Sequence, residues 1–108
     1  MGEVRIRRDE RNHVTGLDVR DVSMESVAGR SAMHLLKAVT ASLIEYLHVH
    51  VESIDGAEGT ELTIERCDTH LDRELDAVLE TLVIGLKMLE KENPADLVVE
   101  ELTVGVEV

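Results

Sequence analysis

The feature that most constrains this chain is a change of hydrophobic period. Leu71, Leu75, Leu79, Leu82, Leu86 and Leu89 recur at intervals of three and four, which places them on one face of a helix. Val4 and Ile6 alternate with Arg5 and Arg7, and Leu17 and Val19 alternate with Asp18 and Arg20, the period of a strand with one buried face. A chain that carries both periods buries its apolar surface by laying helices on a sheet. The leucine helix has Asp72, Glu74 and Asp76 early and Lys87 and Lys91 late, as the helix dipole favours. Thr69, with Asp72 three residues on, stands as its cap, and Asn93-Pro94 ends it.

The other elements follow from the same two periods. A polar cluster, Asp9–Asn12, joins the first two strands as a hairpin. Val22–Gly29 has no period and reads as a loop. Ala32, Leu36, Val39, Leu43 and Leu47 predict a first helix from Arg30 to about Tyr46. His48-Val49-His50-Val51-Glu52 alternates and predicts a third strand. Asp55-Gly56 and Glu58-Gly59 mark a turn, and Leu62 and Ile64 a fourth strand. Leu102, Val104, Val106 and Val108 alternate with Glu101, Thr103, Gly105 and Glu107, a last strand that extends back towards Leu97. The order ββαββαβ predicts an α+β fold, a two-layer sandwich of a mostly antiparallel sheet and two helices, in one domain over residues 1–108. Ile84 and Met88 lie off the leucine stripe. They form either a dimer surface or the flank of a wide core-facing stripe.

Charge narrows the partners. The chain has 23 acidic residues against 11 Lys and Arg, a net charge of −12. The first thirty residues balance, so the excess lies in residues 31–108. Such a surface repels phosphate backbones, and a single aromatic, Tyr46, leaves no platform for stacked bases. Direct nucleic-acid binding is not expected, whereas a basic protein partner suits the charge. No run is long and apolar enough to span a membrane, and the start MGEVRIRRDE has no signal-peptide core. These features predict a cytoplasmic protein with no membrane partner. One cysteine, Cys67, excludes a disulfide framework and a multi-thiolate zinc site.

Chemistry-bearing motifs are few. There is no phosphate-binding glycine loop and no HExxH pattern, and no cofactor is expected. His48-x-His50, with Glu52 next along, places two imidazoles on one strand face and is the seed of a metal site. The alternative is a solvated strand face, favoured because no third ligand is evident. Cys67 and His70 flank a strand-to-helix junction, where a Cys–His pair would be nucleophilic if the thiol pKa were lowered. The alternative is a small residue ending a strand. His34, in the first turns of helix one, has no nucleophile near it in sequence.

Taken together, the hairpin, the glycine-containing loop, the long helix, the second hairpin, the run Glu80-Thr81-Leu82-Val83-Ile84-Gly85-Leu86-Lys87, then Glu92–Ala95 and Val98-Val99-Glu100-Glu101 resemble the bacterial ribosomal-processing cysteine protease family, Prp. In element order the resemblance covers essentially the whole chain. It implies a small α/β sandwich that forms a homodimer and removes an N-terminal extension from a large-subunit ribosomal protein. It also implies a His at the end of strand two, a loop glycine and a Cys in the first turns of helix one. With the loop glycine on Gly29, the family's His position is Val22 and its Cys position is His34. The Gly before that His is Asp21, and the acid after the loop glycine is Ser31. No His lies between Val14 and Met33, and no Cys precedes Cys67. The expectation is therefore a protein without the family's catalytic pair. Val22, Gly29, Ser31 and His34 would line a groove for a peptide or a basic ribosomal protein. The rival expectations are a hydrolase rebuilt around Cys67 and His70, or around a metal at His34, His48 or His50, and an unrelated binding role on the same fold.

Overall fold

The computed structural model of the chain describes residues 1–103. β1 (Gly2–Arg8) and β2 (Val14–Arg20) form an antiparallel hairpin in which Val4 faces Val19 and Ile6 faces Leu17. Asp9 closes the turn, its Oδ1 accepting from the backbone N–H groups of Arg11 and His13. The short polar side chain of Asn12 suits its left-handed φ of 69°. α1 (Val27–Ala41) continues into a widened π turn at Ser42–Tyr46. β3 (Val51–Asp55) and β4 (Gly59–Ile64) make a second hairpin. A short 3₁₀ turn at Thr69–Leu71 leads into α2 (Asp72–Glu92), and β5 (Leu97–Thr103) follows.

The sheet order is β3-β4-β2-β1-β5, with only the β1–β5 pair parallel. This is the expected α+β sandwich and the expected ββαββαβ order. Strand alternation sends Val4, Ile6, Leu17, Val19, Leu62 and Leu97 to the face that the helices cover, where all are buried. Leu75, Leu79, Leu82 and Leu86 of the stripe meet them from α2, and Ala28, Ala32 and Leu36 meet them from α1. The opposite sheet face is charged. There the Arg7 guanidinium lies over Gly16 and donates to the Leu62 carbonyl at 2.6 Å, so it bridges β1 to β4 across β2.

Four local expectations are corrected. The first helix begins at Val27 rather than Arg30, because Ser26 caps it by accepting from Gly29 N–H at 2.9 Å. Asp68, not Thr69, is the residue whose side chain caps the turn before α2, by accepting from His70 N–H. His48-Val49-His50 is not a strand. Val49 N–H is held by the Leu43 carbonyl of the π turn, His48 takes a left-handed φ of 57°, and sheet pairing starts at Val51. In β5 the inward residues are those in register with Val4 and Ile6, namely Val99 and Glu101. Leu102 is therefore on the charged face and 42% exposed. The alternation at Val104, Val106 and Val108 lies outside the described residues.

Glu101 faces inward because it has partners there. Arg8, the one buried charged residue among the described residues, donates to both carboxylate oxygens of Glu80 at 2.6 and 2.8 Å, to Glu101 at 2.8 Å and to the Asn12 carbonyl. A bidentate, charge-assisted arrangement of this kind satisfies a buried guanidinium. It ties β1, α2 and β5 together at one end of the sheet.

Candidate functional site

The loop between β2 and α1 is pressed onto the helix. A Cβ on Gly29 would overlap the Ser23 carbonyl oxygen and would stand 2.8 Å from Ser26 Oγ. Ser26 Oγ in turn donates to that carbonyl at 3.2 Å while it caps Gly29. Glycine is required here because the backbone of residue 23 occupies the space of a side chain. Val22 packs against the start of β1, with its Cγ2 at 3.2 Å from where a Cβ on Gly2 would lie.

Val22 lines a surface hollow of about 460 Å³, together with Met24, Met33 and the tip of the β3–β4 hairpin. Ser31 is half-buried. His34 is exposed, and its Nδ1–H donates to the Arg30 carbonyl one turn back at 3.0 Å. That bond assigns the proton to Nδ1 and leaves Nε2 open to solvent. The imidazole lines neither the hollow nor any thiol. Val22 has no group that can carry a proton, and the residues lining the hollow include no Cys and no His, the pair that acyl transfer through a thiolate needs.

The candidates elsewhere do not form the expected pairs. Cys67 is exposed and donates to Glu65 Oε1 at 3.2 Å. The Glu65 carboxylate accepts the S–H and repels a thiolate, which together push the thiol above its ordinary pKa. A cysteine nucleophile needs the opposite shift. Among the described residues Cys67 has no hydrogen bond to an imidazole, and the small hollow beside it is lined by His48 and His50, not His70. Among the described residues no three His, Cys, Asp or Glu side chains are placed to hold a metal ion, so His34, His48, His50 and Glu52 do not assemble into a site. Ile84 and Met88 are 60% and 57% exposed, which excludes the core-flank reading and leaves an open apolar patch on α2. Among the described residues no helix is long and apolar enough to cross a membrane.

Sequence reasoning missed one further feature. Between α1 with its π turn and the inner face of β3–β4 runs an open apolar groove of about 420 Å³. Its residues come from four separate elements and carry no motif. The only local sign is the polar Ser53 and Asp55 at inward positions of β3, which mark that part of the sheet as uncovered.

No protein-family model and no curated protein matches the chain in sequence. Solved structures match in shape. The ribosomal processing protease Prp from S. aureus, in complex with a covalently linked product peptide, superposes with a TM-score of 0.82 at 13% identity, over 94% of this chain and 100% of that one. The same protease with a substrate peptide gives 0.79 at 17% identity over the same shares. SMU.848 from Streptococcus mutans gives 0.78 at 11% identity, over 96% of each chain. At such identities the likeness is one of fold, and there the resemblance drawn from the sequence is borne out: this chain has the fold of the Prp ribosomal processing protease.

Proposed function

We propose that this protein is a non-proteolytic, single-domain relative of Prp that binds a peptide, with the N-terminal segment of a basic ribosomal protein as the leading partner. The observation that carries the reading is a Prp fold in a chain whose loop hollow is lined by no Cys and no His; it agrees with Val22 and His34 standing at the protease's His and Cys positions, as the resemblance implies. Val22 and Met24, above the buried Gly29, form an apolar wall where a peptide would lie. The exposed Ile84–Met88 patch on α2 is assigned to a homodimer contact, since contiguous apolar surface on a small domain is most readily covered by a second copy. The cytoplasm is the compartment that suits such a partner.

The test is direct. The protein is incubated with a peptide spanning the extension of the large-subunit ribosomal protein, and the mixture is followed by mass spectrometry and by calorimetry. Binding without cleavage is the expected result. Specific cleavage that disappears in Cys67→Ala would overturn the non-proteolytic reading in favour of a rebuilt site.

A further inference from the structure

The helix layer does not reach the end of the sheet. β3 is an edge strand, and its inward Ser53 and Asp55 are exposed because no helix lies over them. The apolar groove beside them has Val19, Leu36 and Leu62 in its base and Met33 and Ile44 on its helical wall. Ile44 owes its place to the π turn, in which Leu47 N–H bonds the Ser42 carbonyl five residues back. The wider turn inserts one residue, so Leu43 is buried at 2% exposure while the next side chain, Ile44, stands 46% exposed over the groove. Such insertions concentrate at functional sites.

The groove continues into the hollow under the β2–α1 loop, since both share Val19, Met33, Asp55 and Thr60. Along this joined channel the charge is mainly negative. Glu45 and Asp55 flank the groove, Asp21 and Glu58 flank the hollow, and among the described residues Lys37 is the single cation lining it. Asp55 is held in place by the Thr60 hydroxyl, which donates to its Oδ1 at 2.8 Å. An apolar base with acids on both sides selects a ligand that is apolar along its length and cationic at its margins. A second copy docked channel to channel would set these same acids against one another, so the local charge disfavours it as occupant. An open channel that extends past one pocket suits an extended segment better than a compact molecule.

We infer that the joined channel takes an extended peptide that alternates apolar and basic side chains, with an apolar side chain between Leu36, Ile44 and Leu62 and Lys or Arg against Glu45, Asp55 and Glu58. The inference rests on the peptide-binding reading and gives it a surface and a sequence chemistry. An extended backbone turns alternate side chains in opposite directions, here the apolar ones to the base and the basic ones to the acidic rim.

The test is fluorescence anisotropy with three labelled octapeptides: alternating Leu-Lys, alternating Leu-Glu and alternating Ser-Lys. The Leu-Lys peptide is expected to bind at least ~10-fold more tightly than either of the others. Ile44→Asp and Asp55→Lys should each weaken it about 10-fold. Glu92→Lys, which changes net charge as much as Asp55→Lys does but sits on α2, should leave it unchanged. Circular dichroism establishes that the variants are folded, and Asp55→Lys on the exposed edge strand serves if Ile44→Asp is not. Equal binding of the Ser-Lys peptide would mean adsorption to an acidic surface and would overturn the inference. So would a dimer that Ile44→Asp splits into monomers, since the groove would then be covered by a second copy. If the ribosomal peptide binds and neither variant weakens it, the channel assignment fails while the peptide-binding reading stands. If no peptide binds, both fail.

Discussion

Gly29 and Gly85 both sit inside helices, and the structure predicts opposite outcomes for the same substitution. In a helix interior Ala is favoured over Gly by about 1 kcal/mol, so propensity alone predicts that Gly29→Ala and Gly85→Ala both stabilise. At Gly85 a new methyl meets only Leu35 Cδ1, at 3.3 Å, the free end of a half-buried side chain that can yield. At Gly29 it meets the Ser23 backbone carbonyl, which would have to retreat by about 1.5 Å to reach an ordinary separation. That movement breaks the contact by which Ser26 both caps α1 and holds Ser23. Overpacking of this kind costs about 1–3 kcal/mol, and the lost cap adds about 1 kcal/mol. Against the propensity gain, Gly29→Ala should lose about 2 kcal/mol and Gly85→Ala should gain a few tenths. At roughly 4–8 °C per kcal/mol for a domain near this size, thermal melts followed at 222 nm should separate the two variants by about 10 °C. Gly29→Ala should also weaken peptide binding, because the loop that carries Val22 and Met24 moves with Ser23. A Gly29→Ala protein that melts at or above the parent temperature would show that the loop is not pressed onto the helix, and the wall assigned to it would go with it.

Arg8→Met should destabilise the protein by about 2 kcal/mol in urea titrations. This is below the 3–5 kcal/mol of a fully buried pair, because Glu80 and Glu101 keep 40% and 33% exposure. Partial burial pushes the Asp76 carboxyl up, but hydrogen bonds from His13 and Arg66 outweigh it and hold the group below its ordinary value. The hydrogen bond from Lys87, opposed by burial and aided by Arg8, does the same for Glu101. Folded carboxyls that bind protons less tightly than unfolded ones give stability that is fully present above the unfolded values near pH 4 and is lost as the pH falls further. The melting temperature should therefore drop steeply on that acid limb, and less steeply in Asp76→Asn and Glu101→Gln. Cys67 should react with iodoacetamide at pH 8 more slowly than free cysteine, and Glu65→Gln should accelerate it. Ile84→Asp should shift the protein from dimer to monomer in light scattering if the α2 patch is the contact.

The two hydrophobic periods carried most of the fold. The stripe Leu75–Leu86 and the pairs Val4/Ile6 and Leu17/Val19 sit in the core as their spacing requires. The periods fail where a tertiary partner overrides them. Arg8 and Glu101 occupy inward positions because the guanidinium pairs with both Glu101 and Glu80 while Lys87 supplies a second cation to Glu101, which no one-dimensional pattern reveals. His48 and His50 alternate like a strand, yet the Leu43 carbonyl captures Val49 first. The candidate site was legible only through the family resemblance, which points to Val22 and His34 and not to a motif of their own. The groove itself was not, because Val19, Leu36, Ile44 and Leu62 become neighbours only after the sheet and α1 have packed.

The parallel pairing of β5 with β1 sets a condition on how the protein is made. β1 is flanked by β2, which follows it at once, and by β5, whose residues are joined to the chain some ninety peptide bonds later. During synthesis the first hairpin and both helices emerge while one side of β1 still lacks its neighbour, and the Arg8 guanidinium still awaits Glu101. A pairing so distant in sequence is slow to find. Until it forms, the open side of β1 is a strand edge available to any other extended segment, including the β1 of another nascent copy.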